Sequence, residues 1–196
     1  MTRKLILLAG TTLLATVYRA RANSSESLRV FRRQQQRTVK TGMLALGGWA
    51  MANFVVSGLS LHRSQGDQRY FHQMNVLWNT VNATIAGLGY GQAARKKVAD
   101  SSLTKTVNSH HSLRRKLLFN AGLDVAYVTG GFYLIEKAKS ATDRSDRWHG
   151  YGKSLMLQGG FLLAFDAVLY LAVRRRAGSL DDMIHKLTAE PQKVII

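Results

Sequence analysis

Cysteine is absent from the 196-residue chain, and proline occurs once, as Pro191 close to the carboxyl end. The lack of cysteine excludes a disulfide framework, a thiolate nucleophile and a cysteine-ligated metal or iron–sulfur site. The single proline leaves long helices uninterrupted. Signatures of serine hydrolases, P-loop nucleotide-binding proteins and zinc peptidases are also missing. The sequence therefore favours a protein that is not an enzyme, and it assigns no catalytic residue.

Acidic residues are scarce as well, since 11 Asp and Glu stand against 28 Lys and Arg and leave a formal net charge of +17. In a soluble protein this charge would first suggest a nucleic-acid partner. Every Lys and Arg, however, lies outside four apolar stretches, at residues 41–62, 71–94, 117–136 and 154–173. Because positive charge beside long apolar segments is typical of membrane proteins, we predict no nucleic-acid partner.

The lengths of these stretches fit membrane-spanning helices. A bilayer core about 30 Å thick needs about 20 helical residues, and each stretch supplies 20 to 24. We therefore predict an all-α protein, a four-helix transmembrane bundle built from two helical hairpins. Each stretch also contains Asn, Gln, His or Asp, so a soluble four-helix bundle is the alternative.

Glycines inside the stretches argue for the membrane, because each would cost a soluble helix about 1 kcal/mol relative to alanine. In lipid, small residues four positions apart allow helices to approach closely. Such pairs recur in all four stretches: Gly48 and Ala52, Gly87 and Gly91, Ala126 and Gly130, Gly160 and Ala164. We predict that these pairs serve close helix packing.

The chain divides into four predicted parts: a signal-like or interfacial helix at 1–22, a basic segment at 23–40, the membrane domain at 41–173, and a basic tail at 174–196. The first part has a basic start, an apolar run and Ala20-Arg21-Ala22, which is typical of a cleaved secretory signal. An uncleaved helix at the membrane interface is the alternative. In the tail, Ser179 is predicted to cap an amphipathic helix that lies on the membrane surface.

The segments between the stretches alternate in charge. Residues 19–40, 95–116 and 174–196 together hold 19 Lys and Arg, whereas 63–70 and 137–153 hold seven. The positive-inside rule places the first set in the cytoplasm, although signal cleavage would invert this topology. Basic loops of this kind predict anionic lipid headgroups as partners, with about 1 kcal/mol per residue close to the surface.

The second stretch carries a polar stripe formed by His72, Asn75, Asn79 and Asn82, which fall at i, i+3, i+7 and i+10 and so share one helix face. A polar face on a spanning helix must contact protein or water. The other members of the predicted polar core, or of a ligand-binding site, are Trp49, Asn53, Trp78, Asn120, Asp124, Gln158 and Asp166.

Helix geometry predicts layers of these side chains. Asp124 and Asp166 are each seven residues from the same membrane face and therefore about 10 Å deep. Asn53 and Asn82 are each twelve residues from that face, about 18 Å deep, which suggests a second layer near the midplane. Two carboxyl groups at one depth could share a proton or bind a cation; alternatively, each could only fix helix packing.

Histidines suggest a further site. His72 and His149 each follow an aromatic residue at the start of the second and fourth stretches, which hints at an internal repeat. If they converged they could ligate haem or a metal; otherwise they anchor helices at the interface. Motifs identify no cofactor. His110 and His111 are adjacent in a basic segment, for which a solvated loop is the simplest interpretation because zinc-binding helices space histidines four apart.

The run from 41 to 50 with Asn53, followed by Tyr70-Phe71-His72-Gln73-Met74-Asn75, Trp78-Asn79 and Asn82, resembles a domain-of-unknown-function family of small bacterial four-helix membrane proteins. The resemblance covers residues 40–92 well and the second half by helix pattern alone. It implies a multi-pass bundle in the bacterial inner membrane, often behind a signal-like segment, with no established activity.

Two classes of function follow, with an enzyme that acts on lipid by acid–base chemistry of two Asp and two His residues as a weaker third. The first is a non-enzymatic accessory or partner-binding membrane subunit, which includes a homo-oligomer. The alternative is a membrane protein that binds a small ligand, a proton or a cofactor such as haem, lipid or an ion through the polar stripe and the intramembrane aspartates.

Overall fold

The structure is a computed structural model that describes residues 2–96 and 102–189, with side chains from 25 to 96 and from 102 to 186. Within these residues all regular structure is helical: α1 (Thr2–Leu61), α2 (Gly66–Arg95), α3 (Leu103–Ser140), α4 (Ser145–Arg174) and α5 (Ala177–Ala189). Four long helices form the bundle and α5 is short. The predicted all-α, four-helix architecture is therefore confirmed.

The helices extend well beyond the apolar stretches. α1 continues without a break through the basic residues at 23–40, and α3 begins at Leu103 although its apolar stretch begins at 117. The basic segments at 19–40 and 105–116 are therefore helical, and the prediction of basic loops there is wrong. Lys and Arg are good helix formers, so a change from apolar to basic composition does not end a helix.

Short connections join α1 to α2 and α3 to α4, so each pair packs along its length as a hairpin. Contacts between α2 and α4 join the two hairpins, and α4 also touches α1, whereas α2 and α3 make few contacts. Gly66, the first residue of α2, has a φ of +55°, a left-handed conformation that glycine adopts without steric cost. α4 is therefore the helix that contacts all three others.

Three of the described helical segments are long and apolar enough to cross a membrane: Ser25–Leu61, Leu103–Ser140 and Ser145–Lys186. In each segment, at most 28% of the residues in its most apolar 18-residue stretch are buried inside the protein. α2 falls below this hydropathy measure because Asn75, Asn79 and Asn82 lower its average, and all three are buried, at 3% exposure or less.

The distribution of polarity is inverted relative to a soluble protein. Large apolar side chains such as Leu59, Leu77 and Phe119 are more than 60% exposed. The buried set, by contrast, is rich in Asn, Ser, Gln and Asp. A soluble bundle would place its large apolar residues inside, so this arrangement fits an apolar surrounding rather than water.

Glycine positions correct the predicted packing. The four small-residue pairs lie on outward-facing positions, and a Cβ atom added at Gly48, Gly87, Gly91, Gly130 or Gly160 would meet nothing within 4 Å. The backbones of neighbouring helices instead approach one another closely at Gly131, Gly150, Gly152 and Gly159. The pairs do not pack the four helices against one another, because spacing alone does not say which helix face turns inward, and their packing against other helices stays a prediction.

The tail helix begins earlier than predicted. α5 starts at Ala177, so Ser179 lies inside it and is not its N-cap, which corrects that prediction. α5 packs against α1, and Leu180 is 2% exposed. The apolar face of α5 is thus partly covered by the protein itself.

Candidate functional site

A hydrogen-bonded set of buried polar side chains, which we call the amide network, joins α1, α2 and α4. Its centre is Gln158, whose side chain is fully buried. Gln158 Nε2 donates to Asn75 Oδ1 at 2.9 Å, and Gln158 Oε1 accepts from Trp49 Nε1 at 3.0 Å and from Asn82 Nδ2 at 3.3 Å. One glutamine therefore ties together three helices.

The remaining members extend the amide network along α2. Asn75 Oδ1 also accepts from Ser154 Oγ at 2.8 Å, and Asn79 Nδ2 donates to the Asn75 carbonyl at 2.8 Å. Asn82 Nδ2 lies 3.5 Å from Asn79 Oδ1, a long contact. Each of these buried groups has a protein partner, which satisfies the requirement that buried polar groups be hydrogen-bonded. The asparagines of the polar stripe thus join α2 to α4 through hydrogen bonds.

The predicted layer of Asn53 and Asn82 does not form a direct bond. Asn53 Nδ2 donates to the Trp49 carbonyl at 3.0 Å, one turn back on its own helix, while Asn82 turns towards α4. Nearby, His72 Nδ1 lies 3.3 Å from Ser57 Oγ and connects α2 to α1. Equal depth on two helices therefore did not lead to pairing, because their faces point to different neighbours.

Asp124 and Asp166 form the second buried feature, which we call the acid pair. They are 3% and 5% exposed and lie close enough for their charges to interact, and Asn120, itself exposed, lies near Asp166. Asp124 Oδ2 has no hydrogen-bond partner. Two neighbouring buried carboxyl groups repel one another when both are ionised, and a proton held by one of them would relieve that repulsion.

Trp78 lies beside α3 and forms a contact between α2 and that helix. Its ring packs edge-on against Tyr127, with centroids 4.9 Å apart and planes at 87°. Its indole Nε1 is buried without a partner. Trp78 is therefore held by packing, and its one donor is unused by the protein.

His149 belongs to a cluster at the opposite end of the bundle from the basic segments. Asp67 Oδ2 accepts from Lys153 Nζ at 2.9 Å and lies 2.8 Å from His149 Nδ1. The Lys153 ammonium beside it holds the pKa of the Asp67 carboxyl below its usual value, with His149 adding to the effect against partial burial. Sequence analysis missed Asp67 and Lys153, because a lone charge next to a helix end carries no periodic signal.

His72 and His149 do not share a partner, since one contacts Ser57 and the other Asp67. Among the residues whose side chains are described, no three His, Cys, Asp or Glu residues are grouped so that they could hold a metal ion. Each histidine thus has its own protein partner, on α1 for His72 and on α2 for His149.

His110 was predicted to lie in a solvated loop, which is wrong because α3 already includes it. Its side chain is 1% exposed, and its ring lies 5.6 Å from that of Phe31 on α1. Both of its ring nitrogens are buried without partners. No signal in the sequence distinguished His110 from the exposed His111.

Comparison with known proteins identifies a family. Residues 45–167, more than half of the chain, match the model of a family of unknown function, DUF6992. No curated protein and no solved structure matches the chain. The matched region contains the amide network and the acid pair, and with this match the chain belongs to the family of unknown function DUF6992.

Proposed function

We propose that this chain is an integral membrane protein that acts as a non-enzymatic accessory subunit and binds other transmembrane helices. The observation that carries the proposal is the inverted polarity of the bundle, in which large apolar side chains face outward and the polar ones are buried. Such a surface is stable only where lipid or another apolar surface covers it.

The amide network supports a structural role for the interior. Its donors and acceptors bond to one another across α1, α2 and α4, so the network fixes the arrangement of these helices. Interhelical hydrogen bonds of this kind specify packing in membranes. The outer surface of the bundle is therefore the part that is available to bind other molecules.

The outward small-residue pairs support a protein partner on that surface. Gly48 and Ala52 on α1 are both exposed, and an added Cβ at Gly48 would meet nothing. Paired small residues let the backbones of two spanning helices approach closely, which is a common basis of helix association in membranes. This surface is available to a second copy of the chain or to another membrane protein.

The test is Gly48→Leu, because the side chain it introduces would project outward and leave the bundle intact. We expect the purified variant to lose association with copies of itself or with its copurifying partner. Molar mass in mild detergent and crosslinking in membranes measure this loss. Gly58→Leu is the matched control, since Gly58 is an equally open glycine on α1 that has no small residue four positions away.

A parent protein that is monomeric and alone in membranes would contradict the accessory role. Equal association of the Gly48→Leu and Gly58→Leu variants would contradict the assigned surface. Circular dichroism of both variants checks that the helices are retained.

A second candidate function, proton transfer or storage within the membrane, is favoured by the acid pair. Asp124 and Asp166 are almost fully buried, and ionisable groups inside spanning segments are costly enough to mark functional sites. The unpartnered Asp124 Oδ2 leaves one acceptor position open for a proton or a polar ligand.

Asp124→Asn and Asp166→Asn separate this function from a packing role, because asparagine preserves the shape and a hydrogen bond. We expect vesicles that contain the parent to take up protons faster than those containing either variant, as followed with a pH-sensitive dye. Asp143→Asn, an exposed residue between α3 and α4, is the control. Equal rates for the parent, both variants and empty vesicles would rule out proton transfer.

A further inference from the structure

A cavity with a mixed polar and apolar lining lies at the basic end of the bundle, between α1, α2 and α3. It has a volume of about 470 Å³ and is bounded by α1, α2 and α3. This volume falls within the range of small-ligand sites and is far too small for a folded partner. We call it the basic cavity.

The charge of the basic cavity has one sign. Three lysines line it, Lys96, Lys105 and Lys116, together with Arg32, which already has a partner within the protein. None of the described lining residues is acidic. The three lysine charges around one cavity repel one another, so the lining favours a ligand of negative charge.

Neutral hydrogen-bonding groups complete the lining. Gln35, Gln92, Ser109 and Ser112 add amide and hydroxyl donors between the cations. The Gln36 amide, by contrast, is already used, because it donates to the carbonyl groups of Ala93 and Lys96 at the end of α2. Cations combined with hydroxyl and amide donors are the usual ligands of phosphate oxygens.

The opposite side of the basic cavity is apolar. Val39, Met43 and Leu113 line it, and Met43 packs against Gly89 so closely that an added Cβ there would lie 2.5 Å from the Met43 sulfur. Met43 and Gly89 fall within the apolar stretches, whereas Arg32, Lys96 and Lys105 lie outside them. On α1 and α2 the lining therefore passes from a cationic to an apolar environment along the helix axes.

We propose that the basic cavity binds the phosphate headgroup of an anionic phospholipid, with the start of its acyl chains against Met43 and Leu113. This inference rests on the proposed membrane insertion and adds a specific ligand site to it. The change from cationic to apolar lining matches an amphiphile better than a free anion, which would gain nothing from the apolar side. The headgroup would bridge α3 to the α1–α2 hairpin where those elements otherwise make little contact.

The experiment uses the full chain in detergent and measures retained lipid by native mass spectrometry, with phosphatidylglycerol and phosphatidylcholine as the two probes. We expect phosphatidylglycerol to be retained and phosphatidylcholine to be lost. Lys105→Gln/Lys116→Gln should weaken the retention at least about tenfold. Arg174→Gln/Arg175→Gln removes the same charge at the same end of the bundle, outside the cavity, and should leave it unchanged.

Ser112→Trp distinguishes a defined site from general charge attraction, because it fills the cavity without changing net charge. Loss of phosphatidylglycerol in this variant supports the site, and unchanged retention overturns it. Displacement of the lipid by inorganic phosphate at similar concentration would mean that the cavity recognises a free anion, which also overturns the lipid assignment.

Flotation of the parent with vesicles tests membrane insertion separately from lipid binding in the basic cavity. A protein that inserts but retains no phosphatidylglycerol contradicts the basic cavity alone. A protein that fails to float with vesicles contradicts membrane insertion itself and the lipid site together.

Discussion

Gln158→Leu is expected to destabilise the bundle by about 2–4 kcal/mol. The lost hydrogen bonds are individually worth little, about 0.6 kcal/mol on average between membrane helices. The larger cost is that the Asn82 amide, 3% exposed, and the Trp49 indole lose the acceptor that they share on α4 and have no water to replace it, whereas Asn75 keeps its bond from Ser154. Stranding a buried polar group costs about 1–3 kcal/mol.

Unfolding by a denaturing detergent, followed by circular dichroism, measures this loss of stability. Gln73→Leu makes the same chemical change at an exposed position and should cost little. The double variant Asn75→Leu/Gln158→Leu should be less destabilised than the sum of the two single variants, because it removes both partners of one bond. Additive losses in that cycle would show that the 2.9 Å contact between Asn75 and Gln158 contributes nothing specific.

Two adjacent glycines on α3 should respond in opposite directions to the same substitution. A Cβ at Gly131 would lie 2.6 Å from Met156 Cγ and 2.7 Å from the Gly152 carbonyl oxygen. A Cβ at Gly130 would meet nothing within 4 Å. We therefore expect Gly131→Ala to force α3 and α4 apart at a cost of about 1–3 kcal/mol or more, whereas Gly130→Ala should gain about 0.5–1 kcal/mol of helix stability.

The same unfolding experiment compares the two alanine variants directly. Helix propensity changes equally in both, so the difference between them isolates the contact between α3 and α4. Similar stabilities for the two variants would mean that α3 is rotated relative to α4 from the arrangement described here.

The periodic features of the sequence predicted the fold well. Four long apolar stretches with basic flanks correctly predicted four helices. The spacing of Asn75, Asn79 and Asn82 correctly placed them on one face of α2, and that face is buried. Counting residues from the helix ends correctly predicted that Asp124 and Asp166 lie close together, because a helix rises by a constant amount per residue. These properties depend only on the geometry of a single helix.

The features that sequence analysis missed depend on rotation between helices. Gly130 and Gly131 are equivalent in any sequence pattern, yet one faces outward and the other lies against Met156. His110 and His111 differ in the same way, since only His110 turns inward beside Phe31. Which residue of an adjacent pair is buried depends on a rotation of about 100°, and the partner helix sets that rotation.

Because α2 is synthesised before α4, the amide network can form only after a delay. Asn75 on α2 depends on Ser154 and Gln158, which follow it by 79 and 83 residues. At about 5–20 residues per second, a ribosome reaches Gln158 roughly 4–17 seconds after that asparagine has been made. During this interval α2 has its polar face without a partner, and hydrocarbon is an unfavourable environment for it. In the proposed membrane location, the first hairpin would therefore have to wait at the membrane surface until α4 is made.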